Sequence, residues 1–78
     1  MENLDIEAEK ILDKVSNNVA KIRKEKGYSQ LKLATELGFK STSYIGRAEL
    51  RTNGQHFNIS NLVKIAKVLD VDICEFFK

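Results

Sequence analysis

The chain has 78 residues, room for one domain, and a domain of that length buries only about 60% of its unfolded surface. It holds no proline, four glycines and one cysteine, Cys74, which excludes an internal disulfide framework. A β-sandwich would need more turn residues, so the composition points to short packed helices.

The opening stretch, Met1 to Glu9, is acidic and lacks an apolar run, so it does not read as a secretory signal. No stretch approaches the roughly 20 apolar residues of a membrane span. With a lone cysteine, the expectation is a soluble, cytoplasmic chain in a reducing compartment. The net charge is +2, and its distribution says more than its size. Residues 1–13 set Glu2, Asp5, Glu7, Glu9 and Asp13 against Lys10, a balance of −4. Residues 14–51 set six lysines (Lys14, Lys21, Lys24, Lys26, Lys32, Lys40) and Arg23, Arg47 and Arg51 against Glu25, Glu36 and Glu49, a balance of +6. Residues 52–78 are neutral.

Five helical segments are expected. In the first, Ile11, Val15, Val19 and Ile22 recur at four, four and three residues, one face of an amphipathic helix beginning as early as Asp5. Lys24 and Lys26 suit its C-terminal dipole, and Gly27 follows as a left-handed cap. Ser29 caps the second, whose inward face is Leu33, Ala34 and Leu37 and which Gly38 stops. Ser41 caps the third, which carries Thr42, Ser43, Tyr44, Ile45 and Arg47. Gly46 inside it costs roughly 0.5–1 kcal/mol relative to alanine. Residues 51–57 form a polar loop with an Asn-Gly turn. Asn58 or Ser60 caps the fourth segment, with Leu62, Ile65, Ala66 and Leu69 as its buried stripe. Asp72 caps a short fifth, with Ile73, Phe76 and Phe77.

The second and third segments carry the functional signal. Ala34 permits a close helix crossing, Gly38 gives the turn its backbone freedom, and Leu33, Leu37, Phe39 and Ile45 tie the pair to the core. The third helix then stands out as a ridge that fits a major groove about 12 Å wide.

From Val19 to Phe77 the chain resembles the lambda-repressor-like, or Cro-type, helix-turn-helix family. The resemblance is carried by Ile22-Arg23-Lys24-Glu25-Lys26-Gly27-Tyr28-Ser29-Gln30, Leu33-Ala34, Leu37-Gly38, Ser43-Tyr44-Ile45, Glu49, Leu62, Ile65-Ala66, Leu69 and Phe76-Phe77. It implies an all-α, five-helix domain over residues 14–78, with the helix-turn-helix at about 29–50 and residues 1–13 as an acidic extension that starts the first helix. It implies a sequence-specific regulator that binds a palindromic double-stranded operator as a homodimer, the third helix in the major groove.

The resemblance also implies roles. Lys40, Ser41, Thr42, Ser43 and Arg47 read bases, Arg47 foremost because arginine grips guanine O6 and N7 with two bonds. Gln30, Tyr44, Arg51 and Asn53 meet phosphates, with core or rim packing as the alternative for Tyr44. Arg23 and Glu49 form a structural ion pair. Val71, Ile73 and one of Phe76 and Phe77 form the dimer contact, the other aromatic closing the core. The chain departs from the family pattern in one extra residue near Lys40, in Ala48 where a larger aliphatic is common, and in a longer loop after Glu49.

No His, Cys and acid cluster has metal-ligand spacing, and no phosphate loop or nucleophile elbow is present, so neither enzyme activity, cofactor nor metal is expected. His56 reads as an ordinary loop residue and Cys74 as a small apolar filler. The alternative is a protein-interaction module on the same fold, antitoxin-like, or a restriction–modification controller.

Overall fold

A computed structural model describes the backbone of residues 2–78 and the side chains from residue 4; Met1, in the expected acidic segment, lies outside the described residues. Four α-helices follow in order: α1 (Glu2–Glu25), α2 (Gln30–Glu36), α3 (Ser43–Leu50) and α4 (Ile59–Leu69). One 3-10 turn, Thr52–Gly54, lies between α3 and α4, and another, Ile73–Phe77, closes the fold. The described residues form no strand.

Local chemistry accounts for most of the boundaries. Ser29 is extended and its side chain accepts the Lys32 N–H, starting α2. Asn58 does the same for Asn61 at the head of α4, and Asp72 for Cys74 at the closing turn. Gly38, at φ 82°, ends α2 in a Schellman arrangement: Phe39 N–H donates to Ala34 O at 2.8 Å and Gly38 N–H to Thr35 O at 3.0 Å. Gly27, at φ 78°, ends α1 in the same way.

Three expectations change. The fifth helix is a 3-10 turn, because the five residues after the Asp72 cap allow one tight turn, with Glu75 N–H donating to Asp72 O at 2.9 Å. The first helix begins at Glu2, three residues earlier than Asp5, so the acidic residues and the start of the basic block share one continuous helix. Ser41 does not cap α3: Thr42 holds that position without a side-chain bond, and the Ser41 hydroxyl accepts the Ser43 N–H at 3.3 Å within the turn.

The core gathers Val15 and Val19 of α1, Leu33 and Ala34 of α2, Ile45 and Ala48 of α3, four residues of α4, Phe57 and Phe76. Ala48 is fully buried, and its carbonyl accepts the buried Ser16 hydroxyl of α1 at 2.8 Å. Phe76 has no exposed surface, and Asn18 on α1 donates to its carbonyl at 2.9 Å. Of the two aromatics, Phe76 is therefore the one that closes the monomer core, and it has no surface left for a dimer contact. Val71 and Ile73 also pack on that core, half-buried, and Phe77 alone of the four is exposed.

Candidate nucleic-acid interface

α2 and α3 are joined by a six-residue turn, residues 37–42. α3 is eight residues long, about 12 Å, and turns Ile45 and Ala48 into the core. Ser43, Arg47 and Leu50, spaced four and three apart, take the opposite side and are exposed. Lys40 and Ser41 are exposed in the turn just before them, and Thr42 is half-buried. Lys40, Ser41, Ser43 and Arg47 are thus all exposed, the first two in the turn and the last two on the outer side of α3. From Gly38 to Ala48 the chain carries Lys40 and Arg47 and no acid.

The nearest acid is neutralised. Glu49 accepts from Arg23 through both carboxylate oxygens, Nε to Oε2 at 2.7 Å and Nη2 to Oε1 at 3.0 Å, and the two side chains are 7% and 6% exposed. Arg23 also donates to Tyr28 O at 2.7 Å, so one guanidinium ties α1, the α1–α2 turn and α3 together. Gln30 joins this network, its Nε2 donating to Glu49 Oε1 at 3.0 Å. One amide N–H of Gln30 is thereby committed inward.

The residues expected at phosphates part company. The Tyr44 ring packs edge-on between Phe39, at 5.5 Å, and Phe57, at 5.8 Å, and its hydroxyl lies 3.5 Å from His56 O. Asn53 is exposed in the 3-10 turn with a left-handed φ of 54°. Arg51 is not available to a phosphate in this arrangement. It ends α3 in a left-handed conformation, its side chain only 10% exposed, and pairs with Glu9 and, at 3.5 Å, with Asp13 of α1. The longer loop after Glu49 thus reaches back to α1 instead of outward.

Sequence reasoning missed Glu9, Asp13, Ser16 and Asn18 as partners. The only available signal was weak: Glu9 and Asp13 stand four apart on one helix face.

Gly46 faces Gln30, and a methyl group there would meet Gln30 Oε1 at 3.6 Å, ordinary contact. Its conformation is helical, so Gly46→Ala should stabilise the fold by about 0.5–1 kcal/mol. Calorimetry should record a rise in Tm of roughly 2–8 °C. A lower Tm would mean the Gln30–Glu49 bond has been pushed apart.

Near the closing turn, the Cys74 N–H bond holds the exposed Asp72 carboxyl below its ordinary value. The hydrogen-bonded Asp72 carboxylate in turn pushes the Cys74 thiol up, which disfavours the reactive thiolate. Among the described residues no group of three His, Cys, Asp or Glu side chains is placed to hold a metal ion, and no helix is long and apolar enough to cross a membrane.

A helix-turn-helix family model matches residues 19–76, from the last seven residues of α1 into the closing turn. No curated protein and no solved structure matches the chain.

Proposed function

The chain belongs to the helix-turn-helix family of DNA-binding regulators, and from that premise we propose that it reads a palindromic operator in double-stranded DNA as a homodimer, with α3 in the major groove. The observation that carries the reading is the set described above: Lys40, Ser41, Ser43 and Arg47 all exposed on the turn and on α3, without an acid among them. An α-helix with its side chains is about 10–12 Å across and so fits the groove, and the exposed basic charge suits the phosphates on either side. Arg47 is the base reader of first rank, with Ser43, Ser41, Thr42 and Lys40 beside it. Asn53 and the free N–H of Gln30 serve phosphates.

A single α3 spans only a few base pairs. A two-fold related copy places a second α3 one helical turn away, about 34 Å, which makes the operator palindromic.

Arg47 is exposed on α3, so Arg47→Ala should leave thermal stability within about 0.5 kcal/mol. DNA affinity should fall by about 1–3 kcal/mol, with discrimination lost at one base position per half-site. Titration of the variant against single-base operator variants checks this. Unchanged affinity and unchanged base preference would remove Arg47 from the interface.

A further inference from the structure

Every described side chain from Leu4 to Lys10 is exposed, although the stretch includes Leu4 at 68% and Ile6 at 51%. Leu4, Ala8, Ile11 and Val15 recur at four, three and four residues and so form one line along α1. That line is buried at Val15 and bare at Ile11 and Leu4. Where it emerges, a groove of about 320 Å³ opens, walled by Ile11, Leu12, Phe57, Ile59, Leu62 and Phe77. Val63, one turn after Ile59 on α4, is also exposed and extends the apolar edge. Scattered apolar side chains on a surface are ordinary, but a continuous line beside a groove marks a contact.

The first turns of α1 and the exposed side of α4 are opposite in charge. Asp5 and Glu7 stand on either shoulder of the bare line at the start of α1, ahead of Lys10 and Lys14, while Glu9 and Asp13 are taken up by Arg51. The only charged residues of α4 are Lys64 and Lys67, both exposed, and Lys67 continues the Ile59–Val63 line by one further turn. One chain therefore carries both an acidic apolar ridge and a basic-edged apolar groove, which is the self-complementarity that a two-fold interface requires.

We propose that a second copy of this chain occupies the groove. The first turns of α1 from each copy lie along the Ile59–Val63 edge and Phe77 of the other. Leu4 enters the groove, and Asp5 and Glu7 face Lys64 and Lys67 across it. The proposal rests on the homodimer of the preceding subsection and assigns its surface.

Sedimentation equilibrium on the full chain tests it with two charge-reversed proteins, Asp5→Lys/Glu7→Lys and Lys64→Glu/Lys67→Glu. All four positions are exposed, so circular dichroism should show both proteins folded. Each alone sets like charges against each other at both contacts and should self-associate about tenfold more weakly or worse. Mixed in equal amounts, they restore opposite charges at both contacts and should form a heterodimer of near wild-type affinity. Dimers indifferent to either substitution, or a mixture that fails to re-associate, would overturn this surface and leave the homodimer held elsewhere. A wild-type chain that stays monomeric, both free and at one chain per operator, would overturn surface and homodimer together, leaving the groove to a different protein.

Discussion

Glu49→Ala should cost about 3–5 kcal/mol of folding stability, because it leaves the Arg23 guanidinium buried and uncompensated. A domain of 78 residues has roughly 4–12 kcal/mol to lose, so the variant is expected to unfold near physiological temperature. The loss is not that of one ion pair. Arg23 joins α1 to the Tyr28 carbonyl and to Glu49, and Gln30 shares the same carboxylate, so α1, α2 and α3 loosen together. Removing both charges should cost less than the two single changes added, since no buried charge is then left alone. Urea unfolding of the two single variants and the double variant measures this. A loss under about 1 kcal/mol for Glu49→Ala would place the pair in the class of solvent-screened surface bridges.

Phe76→Ala should cost a similar amount, about 3–5 kcal/mol, for a different reason. Phe76 is fully buried, and its carbonyl is the acceptor that docks the closing turn on Asn18 of α1. Truncation leaves a cavity where the closing turn meets the core. Its neighbour provides the control: Phe77 is 41% exposed, so Phe77→Ala should cost the monomer far less while weakening self-association through the groove. Thermal unfolding at low protein concentration separates the two variants. Equal losses would mean that both rings are needed by the monomer core.

What was legible in the sequence was mostly local. Ser29, Asn58 and Asp72 cap their elements because a short polar side chain reaches an N–H two or three residues on. Gly27 and Gly38 end helices because their left-handed φ is costly for other residues. Such preferences act within a turn of the chain and need no fold. The third cap failed because α3 starts one residue later than expected, with Thr42 at the cap and the Ser41 hydroxyl spent within the turn, and a one-residue shift leaves no compositional trace.

What was illegible depended on residues far apart. Nothing about Arg51 announces that Glu9 and Asp13 will hold it, some forty positions earlier in the chain. A basic residue in a polar loop looks the same whether it faces DNA or a neighbouring helix. Phe76 and Phe77 are chemically identical, and only the register of a single 3-10 turn decides which is buried. The apolar line from Leu4 to Ile11 was hidden for a similar reason. Read alone, residues 1–13 are an acidic segment, and the line becomes a surface only once α1 is continuous from Glu2 and α4 lies beside it.

Double-stranded DNA binding through α3 is the centre of this account, and selection from a random-sequence duplex pool at two salt concentrations tests it most directly. The expected result is a short enriched palindrome whose half-sites lie about one helical turn apart, bound with an affinity that falls steeply as salt rises. Binding that is salt-sensitive but enriches no sequence would contradict a base-reading α3. No binding at either salt concentration would contradict the DNA interface itself.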